Sequence, residues 1–365
     1  ETWLEVPAEA DLRVPALGDD LSQTTRDVTH VFRQRYSGPL YRVRTRLGRE
    51  VTVSPEHPFV TVTENGVETV PAEDLSEQQR VASFSSFDPE RTGEWTLDER
   101  PSLASDGGEV VYRSSHHDPN PVAPLSIDPE VARFLALTIA EAQHEETFVA
   151  FANENDRLRS QFADLSRRFG VEPTVYEYEG KTPLVRANSR SLVEHLKRLD
   201  CHPAPSAEKS VPDAVMRADD ETVSAFLRAM FDCEGSVQGA DGDERGRYVT
   251  MASASRDLID GVVVLLLRFG IVSKVREKTH DGESYYELSI GRSDQHRRFR
   301  THVGFDVEHK AEKLDALCAA GSKANVHTLP VMPPLEEARD RLGMTPTEFY
   351  GDNKHVARMR RRNSI

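Results

Sequence analysis

Two stretches of equal length, Asn155–Gly170 (NDRLRSQFADLSRRFG) and Ser255–Gly270 (SRDLIDGVVVLLLRFG), close on the same tripeptide, Arg-Phe-Gly. Each opens on a residue suited to cap a helix N-terminus and ends on a glycine free to take left-handed φ, so each reads as one helix. Strand-like segments follow both: TVYEY and TPLVRA after the first, SKVREK and SYYELSI after the second. Another helix then begins, SLVEHLKRL or DQHRRFRTHV, and a helix with matching features precedes each copy, Asp128–Glu141 and Asp219–Glu234. A helix–strands–helix–strands–helix unit present twice constrains the fold before any single element is assigned. The expected class is α+β, with a pseudo-symmetric, duplicated αββαββα region over 128–305, its copies at 128–200 and 212–305.

The flanks have a different character. Residues 1–85 read as an all-β region, since Leu40–Arg46, Glu50–Val53 and Phe59–Val62 cluster β-branched residues between Gly and Pro punctuation. Residues 86–127 are rich in Ser, Asp, Gly, Pro and His and read as a connection; His116 and His117 lie there without a third ligand at metal spacing. A second connection is expected over 306–327, and a small helical segment over 328–365. In that segment Leu335–Leu342 is helical in pattern, and Thr345-Pro346-Thr347-Glu348 is a capping box with Pro at the first helical position. KHVARMRRR, the most basic run of the chain, follows. Two short helices and a basic third resemble an incomplete helix-turn-helix module, with Lys354, Arg358, Arg360, Arg361 and Arg362 as candidate DNA contacts. Arg297, Arg298 and Arg300, on a predicted helix, fit either phosphate contact or a solvated face.

Composition bears on partners. The formal net charge is −15, and only nine of the 46 basic residues are lysines. An acidic surface poor in lysine suits concentrated salt, which screens its self-repulsion. Global acidity opposes nucleic-acid binding, so DNA contact must come from local basic segments. No apolar run is long enough to cross a bilayer, which excludes a membrane helix. Three scattered cysteines, Cys201, Cys233 and Cys318, form neither a disulfide framework nor a zinc knuckle and fit a reducing cytoplasm. Residue 1 is Glu rather than Met, and no secretory signal follows it, as expected of a segment from inside a longer polypeptide.

Each copy starts with an apolar helix ending in an acid: FLALTIAEA (Phe134–Ala142) and LRAMFDCEG (Leu227–Gly235). FLRAMFDCEGSV resembles the second motif of the LAGLIDADG homing endonucleases, and RFLALTIAEAQ a more diverged first motif. The resemblance implies two motif helices packed side by side, with the small residues Ala136 and Ala229 allowing close approach. Glu141 and Glu234 would then be the paired acids at the DNA groove. Two carboxylates at such a seam hold Mg²⁺, which activates water and neutralises the departing oxygen of a phosphodiester. Taken singly, either acid is equally an ordinary solvated helix end. The family also places a basic residue near each metal site. Lys274 fits that role in the second copy, while the equal-spacing position of the first is Thr174, with Lys181 as a substitute. The first motif further departs in having Ala142 where Gly is usual and Ile139 where the second has Asp232.

A second resemblance lies at the N-terminus. YSGPLYRVRTRLGREVTVSPEHPFVTV is similar to the block around the splicing histidine of Hint domains, found in inteins. It implies that His57, preceded by Ser54 where Thr is commoner, assists an acyl shift at the N-terminal splice junction. LPVMPPLEEARDRLGMTPTEFY is likewise similar to segments that follow the endonuclease in some archaeal inteins. Glu1 is not a splicing nucleophile and Asn363-Ser364-Ile365 lacks a preceding His, so both junctions are expected outside this sequence. The resemblances together imply a haloarchaeal-type intein segment, 1–85 being a partial Hint domain. Its function would be Mg²⁺-dependent cutting of double-stranded DNA at the intein-free host allele. Its other partner would be the flanking host polypeptide, an ATP-dependent replication or repair enzyme such as a replicative helicase. A LAGLIDADG scaffold that binds DNA without cutting it, as a regulator, is the alternative.

Overall fold

The structure is a computed structural model that describes residues 2–7, 12–18, 22–63, 66–77, 79–87, 104–106, 109–111, 122–124, 127–239, 246–319 and 339–350. It divides into two compact units, residues 1–84 with 323–365, and residues 85–322.

The first unit is built from short antiparallel strands: β1 (Thr2–Glu5), β2 (Arg13–Leu17), β3 (Gln23–Asp27), β4 (His30–Arg33), β5 (Tyr41–Arg44), β6 (Glu50–Val53), β7 (Pro58–Thr63) and β8 (Gly66–Pro71). They pair two by two, β1 with β4, β2 with β3, β5 with β6 and β7 with β8. Little is buried among them. Val53, Thr61 and Ala72 are covered, whereas Leu4, Val14, Val51 and Val67 are exposed. Pairs without a shared hydrophobic face contribute little stability by themselves. The capping box forms as read from the sequence: Thr345 N–H donates to Glu348 Oε2 at 2.8 Å, at the start of a short helix, Pro346–Tyr350. Residues 339–341 are helical; the basic run from Lys354 to Arg362 lies outside the described residues, as do His116 and His117.

The second unit holds the hydrophobic core. Its first strands, β9 (Ala104–Asp106), β10 (Glu109–Val111) and β11 (Val122–Pro124), form a small antiparallel sheet inside the stretch read as a connection. The duplicated region follows. Its first copy is α1 (Pro129–Glu141), β12 (Ala142–His144), β13 (Phe148–Ala152), α2 (Asp156–Arg168), β14 (Thr174–Tyr176), β15 (Leu184–Asn188) and α3 (Arg190–Arg198). After α4 (Asp213–Arg217), the second copy is α5 (Asp220–Glu234), β16 (Gly235–Gln238), β17 (Tyr248–Ser253), α6 (Arg256–Arg268), β18 (Lys274–His280), β19 (Glu283–Gly291) and α7 (Ser293–His302). The two four-stranded sheets have the same order, β12-β13-β15-β14 and β16-β17-β19-β18. A further helix, α8 (Glu308–Ala319), occupies what the sequence suggested was a second connection. Its apolar face is narrow, with Leu314, Leu317 and Cys318 buried, too short a stripe to stand out as a helical period.

The repeated tripeptide has the same work in both copies. Arg168 pairs with Asp128, the residue that caps α1, at 2.9 Å, and Arg268 pairs with Asp220 in the first turn of α5 at 2.8 Å. Phe169 lies against His195 of α3, with ring centroids 5.7 Å apart, and Phe269 stacks on His302 of α7 at 5.2 Å. Gly170 and Gly270 take φ of 71° and 62°, and Val171 and Ile271 donate back to the Ser166 and Leu266 carbonyls, each at 3.0 Å. That is the glycine-closed helix end. One tripeptide thus ties the second helix of each copy to its first and its third.

Candidate active site

α1 and α5 pack against each other along their length, with Ala136 and Ala229 buried. Each ends on its acid, Glu141 or Glu234. Both carboxylates are half-buried, and Asn153 donates from its side chain to Glu141. Burial, and next the charge of Glu141, push the Glu234 carboxyl above the usual carboxylate range, opposed by Lys209 and Lys310. The two acids therefore share one electrostatic environment, in which like charges resist joint ionisation.

Two lysines face that pair, and sequence reasoning missed both. Lys209 Nζ donates to the Ala140 carbonyl at 3.2 Å. Lys310 Nζ donates to the carbonyls of Phe231, Asp232 and Cys233, at 3.3, 2.6 and 3.5 Å. Ala140 and Cys233 each directly precede their acid, so an ammonium group sits on the equivalent helix end in both copies. Unpaired carbonyls and the helix dipole favour cations there. Burial pulls both lysines below their ordinary pKa, while nearby negative charge holds them up, that of Glu234 first at Lys209 and that of Asp232 first at Lys310, with Glu141 acting on both. Neither lysine belongs to a duplicated unit: Lys209 lies between the copies and Lys310 on α8. The faint signal available was scarcity, since in a chain with nine lysines each one invites a reason. A cleft of about 320 Å³ opens beside Glu234, lined among others by Ser206, Lys209, Ser253 and Tyr285.

The other positions singled out by sequence are placed as follows. Lys274 opens β18, an edge strand, opposite Ser289. Thr174 is exposed at the start of β14, and Lys181 lies 5.9 Å over the ring of Tyr178. Gly235 is needed because a Cβ there would meet the Phe231 carbonyl at 2.4 Å and its ring at 2.9 Å. The counterpart Ala142 stands across from Thr138, which has no ring. Asp232 is buried and pushed up to about 6 by that burial, against the backbone N–H groups of Val307 and Asp306. In the first unit, Ser54 and His57 bracket a turn closed by His57 N–H on the Ser54 carbonyl at 3.2 Å. The His57 carbonyl accepts from Ala72 at 2.9 Å, and its exposed ring lies edge-on to Phe59. All three cysteines are free. Among the described residues no group of three or more His, Cys, Asp and Glu converges, and no helix is long and apolar enough to cross a membrane.

Residues 221–304 match the family model described as a LAGLIDADG-like domain. Over 311 residues, 83% of its length, the chain is 26% identical to 14% of the replication factor C small subunit of Methanocaldococcus jannaschii. It is 28% identical over 307 residues to the same-named protein of Thermococcus kodakarensis, again with 83% of this chain but 30% of that protein. It is also 23% identical over 350 residues to the RNA polymerase subunit Rpo1C of M. jannaschii, with 91% of this chain and 38% of that protein covered. The chain therefore spans less than half the length of these relatives. Among solved structures it is similar to I-DmoI in complex with DNA and Mn, with a TM-score of 0.37 and 14% identity, over 48% of this chain and 97% of that one.

Proposed function

We propose that the chain is a segment of an intein and houses a site-specific, Mg²⁺-dependent endonuclease for double-stranded DNA. The observation that carries this reading is the paired arrangement at the helix seam: two acids, each with a lysine on the carbonyl preceding it or its equivalent. Two carboxylates form a hard oxygen donor set that fits Mg²⁺, whose remaining ligands come from water and substrate oxygens. The ion, when bound by Glu141 and Glu234, supplies water activation and charge neutralisation at the phosphate. Lys209 and Lys310 hold positive charge beside the reacting phosphate, and their lowered pKa brings each closer to passing a proton to a departing oxygen. Lys274 is retained as a candidate basic group for the second half, from the edge of its sheet.

The intein part of the reading rests on where similarity falls. A replication factor and an RNA polymerase subunit do different work, yet a part of each is similar to nearly this whole chain. An element inserted into different hosts accounts for that, and an intein is such an element. In it, residues 1–85 would form part of a Hint domain with His57 and Ser54 at the splice chemistry. Residues 328–365 would be a helix-turn-helix-like DNA-binding segment, the host a DNA replication or repair protein, and the source a halophile.

The test is a plasmid bearing the uninterrupted host allele, incubated with Mg²⁺ and followed on a gel. Linear product is expected from the wild type. Lys209→Met with Lys310→Met should lower cleavage at saturating protein by about 10²-fold, beyond any loss of DNA affinity. Intact protein that binds the site and leaves it uncut would make the chain a DNA-binding regulator instead. Affinity itself should depend on the basic run. Replacing Arg358, Arg360, Arg361 and Arg362 by Ala is expected to reduce the slope of log affinity against log salt by roughly one unit for each phosphate no longer neutralised. Titrations at several KCl concentrations measure it, and an unchanged slope would assign the run to a solvated face.

A further inference from the structure

On α5, Ser224, Arg228 and Asp232 recur at every fourth residue and so share one face. All three bind the backbone that runs from the last residue of α7 to the start of α8. Ser224 Oγ donates to the His302 carbonyl, and Arg228 Nε to the Val303 carbonyl at 2.6 Å. The Asp232 carboxylate accepts the N–H groups of Asp306 at 3.0 Å and Val307 at 3.1 Å, in the turn that opens α8. Asp306 in turn pairs with Arg133 of α1 and lies 3.8 Å from Arg228. Three residues beyond Val307, Lys310 reaches the end of α5.

The matching face of α1 is Val131, Leu135 and Ile139, all buried and apolar. The corresponding positions one copy earlier thus carry no polar group. A buried carboxylate is an expensive way to hold two helices, and apolar residues of similar size commonly do as well or better. What the polar face adds is direction, because it fixes a particular backbone segment at a particular height along α5. A lysine on a flexible four-carbon stem can only be as well placed as the backbone it grows from.

We infer that Ser224, Arg228 and Asp232 form a clasp that sets the position of Lys310, and that they serve as positioning residues for the second half of the site alone. Lys209 is held otherwise: Ser255 Oγ donates to its carbonyl, at the cap of α6. The clasp stands on the geometry; its effect on one half of the reaction rests on the nuclease reading above.

The experiment has two readouts on the full chain. The first is competitive acetylation of lysines followed by mass spectrometry, with Lys313, exposed on the same helix, as internal reference. In the wild type Lys310 should label at least about fivefold more slowly than Lys313. Asp232→Leu should bring the two rates together; Asp232→Asn removes the same charge beside Lys310 but keeps an acceptor oxygen, and should raise Lys310 labelling by less. Arg228→Met should shift the ratio in the same direction as Asp232→Leu, and it carries the test if the leucine variant does not fold. The second readout is strand-resolved cleavage of the target. Asp232→Leu should slow one strand by about tenfold and leave the other within twofold. Lys310 protection unchanged in both Asp232→Leu and Arg228→Met would overturn the clasp. Equal slowing of both strands would overturn its restriction to one half. A wild type that cuts neither strand would remove the nuclease reading, and the labelling ratio would still decide whether the clasp exists.

Discussion

Glu234→Gln is expected to lower double-strand cleavage by about 10²–10³-fold, with DNA affinity nearly unchanged. The amide keeps the shape of the side chain and removes the charge that would hold Mg²⁺. Glu141→Gln should do the same, for a second reason as well. Asn153 donates to Glu141, and an amide in its place has only one oxygen to answer it. Plasmid cleavage in Mg²⁺, sampled over time, distinguishes nicked from linear product. Should both glutamine variants linearise plasmid at the wild-type rate, the paired acids are not the catalytic centre.

Acid should destabilise the second unit before most of its carboxylates titrate. His195 is fully buried against Phe169, and burial pulls its pKa down to about 4. His144, on β12, is lowered to about 4 by burial and by the charges of Lys197 and His202. In the unfolded chain both protonate near 6.5, so the proton binds the unfolded state first. Stability is then greatest above pH 6.5 and falls as pH drops from 6.5 to 4, by up to about 3 kcal/mol for His195. Urea unfolding at pH 7, 5.5 and 4.5 measures this loss. His195→Leu should flatten the slope over that window; a slope that persists undiminished would trace it to other groups.

The duplication was legible because its signals are local. Capping residues, a closing glycine and the alternation of periods all lie within a few residues of one another, and both copies of Arg-Phe-Gly fall where the chain must turn. The motif helices were equally visible, since Glu141 and Glu234 end apolar runs of matching length. What escaped was whatever depends on distant segments meeting. Lys209 and Lys310 reach the acids only because the chain between the copies, and the helix after the second, fold back onto α1 and α5. No spacing rule announces that. Lys274 drew attention through its place in the repeat; Lys209 and Lys310 have no such place to mark them. Asp232 looked like a difference from Ile139; its purpose became visible only with the backbone of residues 306 and 307 in view.

That arrangement separates the acid from its cation in sequence. Each αββαββα copy contains its own carboxylate, but the ammonium group on the helix end beside it comes from chain that is not repeated. A chimera cut at the boundaries of symmetry, 128–200 or 212–305, would inherit the fold and forfeit the charge balance at the seam. Recombining halves of such proteins to build new specificities would have to move residues 201–211 with the first half and 303–310 with the second.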